Sequence, residues 1–136
     1  MSGTLFAVQQ AVFGKLAADT AVQSLLGDPP RLYDHVPADA AFPYVAFGPL
    51  SAQPFDDLAR SGYTLSLALT VWSRYRGGKE AKDILQAVYD ALHRADLAVA
   101  GAVFVSCEFA GCDVAVENDG LTWRGEIRFT IYIQDS

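Results

Sequence analysis

Two long stretches of this chain alternate apolar and polar residues with a period of two, and no other feature constrains the fold as strongly. Tyr63, Leu65, Leu67, Leu69 and Val71 fall on one side of an extended strand, with Thr64, Ser66, Ala68, Thr70 and Trp72 on the other. Near the C-terminus Leu121, Trp123, Gly125, Ile127, Phe129, Ile131 and Ile133 alternate in the same way with Thr122, Arg124, Glu126, Arg128, Thr130 and Tyr132. Strands with a single apolar face need a covering layer on that face and can leave the other to water.

Helical periodicity supplies the cover. Leu5, Val8, Val12 and Leu16 recur at spacings of three and four, with Thr4 as the expected cap. Asp19 is placed to cap a short second helix through Ala21, Val22, Leu25 and Leu26, which Gly27 and Asp28-Pro29-Pro30 stop. After Gly77-Gly78, residues Ala81, Ile84, Leu85, Val88, Leu92 and Ala95 trace one face of a helix of about five turns. Glu80 and Asp83 near its start and Arg94 near its end suit its macrodipole.

The remaining segments read as short strands. Leu32 to Val36 and Tyr44 to Phe47 are extended pieces separated by prolines, and residues 48–62, with two prolines and two glycines, read as a long loop. Val103, Val105, Cys107 and Phe109 alternate, Val114 and Val116 follow, and Asn118-Asp119-Gly120 signals a tight hairpin turn. The expected order is helix, short helix, three strands, helix, three strands. That order predicts one α+β domain over residues 1–136, an antiparallel or mixed sheet of about five to six strands with two main helices on one face. It lacks the strand-helix repetition of a doubly wound sheet.

A length of 136 residues suits one domain. Apolar residues make up 51% and charged residues only 19%, so part of the apolar surface is expected to serve partners. A net charge of −6 argues against general affinity for nucleic acid or an anionic membrane. The N-terminal MSGTLFAVQQ lacks the features of a signal peptide, and no apolar stretch reaches the length of a membrane helix, so no membrane partner is expected.

No reaction chemistry assembles from the residue pattern. His35 and His93 lack a nucleophile at a recognisable spacing, and reduced, packed thiols describe Cys107 and Cys112 better than a metal site, which needs two further ligands. Gly77-Gly78-Lys79 invites a phosphate-loop reading, yet Ser73 and Glu80 stand where that motif requires glycine and a hydroxyl residue. No catalytic residue, cofactor or metal is predicted. Two features suggest contacts instead. Arg74, Arg76, Lys79 and Lys82 place four of the ten basic residues within nine positions, and the 51–60 segment combines Phe55 with Asp56, Asp57 and Arg60. A solvated face and a soluble loop tip are the plainer explanations of each.

Three stretches, "PPRLYDHVPADAAFPYVAFG", "TVWSRYRGGKEAKDILQAVYDALHRADL" and "DGLTWRGEIRFTIYI", together with the early helix, resemble the tail-completion or tail-terminator proteins of long-tailed phages and phage-derived gene transfer agents. The resemblance rests on Pro43-Tyr44 opening a strand, Trp72 closing one, Gly78, Glu80 and Ala81 opening the helix, and Asp119, Arg124 and Gly125 around the last hairpin. It implies a structural, non-enzymatic subunit, assembled in the bacterial cytoplasm into the neck or tail of a phage-like particle. It further implies a homo-hexameric ring that ends the tail tube, meets the tail tube protein and a head-tail connector or stopper protein, and lets double-stranded DNA pass without specific binding. On this reading Phe55, Asp56, Asp57 and Arg60, and separately Arg74, Arg76, Lys79 and Lys82, are partner-docking segments. Another neck or tail-tube role is the neighbouring alternative, and a small-molecule-binding α+β domain the alternative of a different class.

Overall fold

The computed structural model describes residues 3–56 and 61–135. Helices α1 (Thr4–Ala17) and α2 (Thr20–Leu26) are followed by strands β1 (Leu32–Tyr33), β2 (Tyr44–Asp56) and β3 (Ser61–Ser73), then helix α3 (Lys79–Leu92) and strands β4 (Ala102–Val116) and β5 (Trp123–Asp135). The five strands form one mixed sheet in the order β1-β2-β3-β5-β4, in which only β1 and β2 run parallel.

The two alternating stretches are the central pair of this sheet. They run antiparallel in unbroken register from Gly62 opposite Gln134 to Ser73 opposite Trp123. Leu65, Leu67, Leu69 and Val71 on β3 and Ile127, Phe129, Ile131 and Ile133 on β5 are buried beneath the helices. Val8, Val12 and Leu16 of α1 and Ile84, Val88 and Leu92 of α3 close the core from above. Gly125 permits the close approach of helix and sheet: a Cβ built there would lie 3.0 Å from Leu85 Cδ1 and 3.1 Å from Val114 Cγ2.

The structure corrects several expectations. Residues 48–56 are strand rather than loop, because β2 continues beside β3 and the two build a long hairpin. The prolines that argued for a loop sit where a ladder tolerates them. Pro49 falls within the register shift between Phe47 and Leu50, and Pro54 lies on a length of β2 that β1, paired only at Val45 and Ala46, leaves as an edge. The last three expected strands are two, since Val103 to Val116 is one continuous strand. Its break in alternation is a bulge between Phe109 and Gly111, with Gly111 at φ 132°. The Asn118-Asp119-Gly120 turn is part of a six-residue connection between Val116 and Trp123 rather than a two-residue loop.

Smaller differences concern helix ends. Gly3 precedes α1 in a left-handed conformation and Thr4 is its first residue; Leu5 is 39% exposed rather than core. Asp19 accepts a hydrogen bond from the Val22 N–H at 3.0 Å and caps α2 as expected. Helix α3 stops at Leu92, before Ala95, where Arg94 adopts φ 57° and its backbone N–H donates to the Cys107 carbonyl at 2.8 Å.

Candidate functional site

His93 and Cys107 are occupied with structure. His93 Nδ1 accepts the Phe109 backbone N–H at 3.1 Å, and its ring stacks on Tyr89 at 4.8 Å. This ties the end of α3 to the sheet edge. Cys107 is buried and its thiol is pushed up to about 12 by that burial, with the Glu108 carboxylate adding to the effect, so it is held as an unreactive thiol; Cys112 is exposed and unbonded. Among the described residues, no three His, Cys, Asp or Glu side chains gather as metal ligands. No helix among them is long and apolar enough to cross a membrane.

The residues that carried the family resemblance meet at one end of the sheet. Ser73, fully buried, donates to Glu80 Oε1 at 2.7 Å and accepts the Tyr75 N–H at 3.2 Å, which fixes the turn from β3 into α3. Gly78 lies under Trp123, where a Cβ would come within 3.2 Å of the indole. Tyr44 stacks on Trp72 at a centroid distance of 6.5 Å and meets Phe42 at a tilt at 5.1 Å, and the Arg124 guanidinium sits 5.8 Å from the Trp72 ring. Asp119 accepts the Leu121 and Thr122 N–H groups and the Thr122 hydroxyl. Those three hydrogen bonds hold its carboxyl at about 2, below its ordinary 3.8. These residues organise the strand ends.

Beside them lies the basic cluster, which the structure divides. Arg74 is spent on the fold, with its guanidinium 4.2 Å from the Phe42 ring and its Nε donating to Thr122 Oγ1 at 3.2 Å. Lys79 pairs with Asp83 at 2.6 Å across one helical turn. Arg76 and Lys82 are exposed and have no ion pair among the described residues.

At the opposite end, the β2–β3 hairpin carries Phe55. It is 47% exposed, stands opposite Gly62 and rests edge-on against Tyr132 at 6.5 Å. Asp56 closes β2 opposite Ser61, whereas Asp57 and Arg60 lie outside the described residues. The hairpin and the basic cluster are thus separate, at the two ends of the sheet.

Two further surfaces were only partly legible in the sequence. The face of the sheet away from the helices has no covering layer among the described residues and carries a charge lattice. Glu126 bridges Arg124 at 3.0 Å and Arg128 at 2.8 Å, and Arg128 also reaches Asp113 at 3.2 Å. The two guanidiniums hold the Glu126 carboxyl below the usual range. The alternation Arg124-Gly125-Glu126-Ile127-Arg128 already puts these three charges on one side; only their partner on the neighbouring strand needed the register. The helical side, in turn, carries an apolar concavity at each flank. Over β1 and β2 one of about 450 Å³ is lined by Phe6, Phe13, Phe47 and Asp34 with two glutamines, and Phe6 is 60% exposed. Over β4 and β5 one of about 340 Å³ lies between α3 and the sheet edge, lined by Lys82, Leu85, Tyr89, Phe109 and Cys112 among others. Phe6 and Phe13 were invisible to periodicity because they lie off the core stripe Val8, Val12 and Leu16 of α1.

Comparison with known proteins places this architecture among virion components. Residues 10–134 match the family described as Tail completion protein gp17. Tail completion protein gp17 of Bacillus phage SPP1 is 34% identical over 98 residues, covering 68% of this chain and 70% of that protein. A chain from the virion of a native gene transfer agent particle superposes with a TM-score of 0.88 at 26% identity, over 98% of this chain and 99% of that one. The structure of bacteriophage SPP1 gp17 gives a TM-score of 0.62 at 25% identity, over 93% and 88% of the two chains.

Proposed function

The chain belongs to the tail completion protein gp17 family, and from that premise we propose that it is the subunit of a hexameric ring which terminates the tail tube at its head-proximal end and joins tail to head. Its role is structural, in tail assembly, and not enzymatic. The observation that supports the finer reading is the superposition of 98% of this chain on a chain from the virion of a native gene transfer agent particle.

The surfaces fit the task. A ring subunit must offer two unlike axial faces, and the sheet offers two unlike ends. One holds exposed Arg76 and Lys82 beside the rigid strand-end cluster, and the other holds the hairpin with half-exposed Phe55. We assign the basic cluster Arg74, Arg76, Lys79 and Lys82 to a subunit or connector contact, in which Arg76 and Lys82 carry no ion pair among the described residues, and Phe55, Asp56, Asp57 and Arg60 to a partner at the other end. DNA passes the ring without being gripped, because the net charge of −6 per copy is multiplied around it and repels phosphate.

Particles produced without the chain test this reading. They should have tails of uncontrolled length, or tails of normal length that fail to join heads, in negative-stain micrographs. Reversing Asp56 and Asp57 to lysine should leave the monomer folded and reproduce one of those defects. Tails of normal length joined to heads in its absence would refute the assignment.

A further inference from the structure

The two flank concavities lie on one row of the sheet. Phe47 pairs with Leu69, Leu69 with Ile127 and Ile127 with Cys112, so a line across four strands begins in the α1 concavity and ends in the α3–β4 groove. At the first end Phe6 and Phe13 project from α1, 60% and 42% exposed, and Phe13 is held by stacking on Phe47 at 6.5 Å. At the other end the groove is walled by Leu85, Tyr89 and Phe109. The lining of each concavity includes one charged residue. Asp34 lines the first and Lys82 the second, both are exposed, and neither has an ion pair among the described residues.

From this juxtaposition we propose that the exposed aromatic rim of the α1 concavity of one copy docks against the α3–β4 groove of the next, Phe6 and Phe13 entering between α3 and β4 while Asp34 meets the neighbour's Lys82. The occupant of each flank is a second copy of this chain. Charge selects the pairing: two α1 flanks would bring Asp34 against Asp34 and two grooves Lys82 against Lys82, whereas unlike flanks bring opposite charges together. A contact between two different patches is heterologous, and a heterologous contact repeated by rotation closes a ring. The two patches share a row of the sheet, so a sideways step from copy to copy carries one toward the other without a large axial shift. Phe13, preordered by its stacking on Phe47, is the kind of aromatic anchor that dominates interfaces. The proposal rests on the ring reading above and names its lateral contact.

Charge exchange decides it. The full-length chain, D34K, K82D and the double exchange are compared by light scattering over a concentration series, with alkylation of Cys112, which lines the groove, followed by mass spectrometry. Each single reversal should weaken self-association by about tenfold or more. The double exchange should restore most of it. Cys112 should be slow to alkylate in the assembled wild type and the double exchange, and fast in the single variants. Because both charged groups are exposed, unchanged thermal midpoints would show that folding is intact; Phe6→Ser supplies an uncharged variant with the same expected loss. Rings whose mass none of these variants alters, or a double exchange no better than the singles, would overturn the lateral contact while leaving the ring. A wild-type chain that stays monomeric at every concentration and in the presence of tail tubes would overturn both.

Discussion

The two faces of one sheet are built from the same strands and obey different rules. Under the helices, Leu65, Leu67, Leu69, Ile127, Phe129 and Ile131 are buried without a polar atom among their side chains, and each holds its place by filling space. On the other face, one residue away along each strand, Arg124, Glu126 and Arg128 hold each other through ion pairs that water can reach. Period-two alternation therefore separates what stabilises this protein from what it shows to its surroundings.

The sharpest break in that contrast comes from adjacent residues. Phe129→Ala should lose about 3–5 kcal/mol of unfolding free energy through the cavity it leaves. Arg128→Ala, next to it on the other face, should lose about 1 kcal/mol or less, because its pair with Asp113 is exposed and its pair with Glu126 is only half-buried. Denaturant titration of the two variants measures the difference directly, and equal losses would contradict the division. At Gly125 the helix comes close enough that Gly125→Ala should destabilise by about 1–3 kcal/mol, by forcing apart Leu85 and Val114. The same substitution at Gly120, whose Cβ would meet no atom within 4 Å, adds only the strain of a positive φ.

The smallest effect is electrostatic and belongs to the polar side. Asp119 has a folded value of about 2 against an ordinary 3.8, so its contribution is present above pH 4 and is lost as pH falls toward 2. The wild-type chain should lose stability over that window more steeply than Asp119→Asn, with the two curves converging at the acid end. Glu126, also held below its usual range, moves in the same direction. Parallel acid curves for wild type and Asp119→Asn would show that the turn draws nothing from its charge.

How far the sequence disclosed this structure follows from the same division. The central strands, the core faces of α1 and α3 and the Asp19 cap were legible because periodicity and local capping act over a few residues. The β2 extension was not, because Pro49 and Pro54 signal a loop unless β2 is known to be an edge with a bulge at Phe47. The continuity of β4 was hidden for the same reason, since a bulge at Gly111 and a chain break look alike in one dimension. The basic cluster was found by charge density, yet only contacts show that Phe42, Thr122 and Asp83 engage two of its four members. The flank concavities depend on which strands become neighbours, and local spacing carries no record of that.

Imaging intact particles by cryo-electron microscopy should place this chain in a single ring of six copies between the tail tube and the head, with the tube ending beneath it. Copies distributed along the tube, or absent from the head-proximal end, would contradict a tail-terminating role.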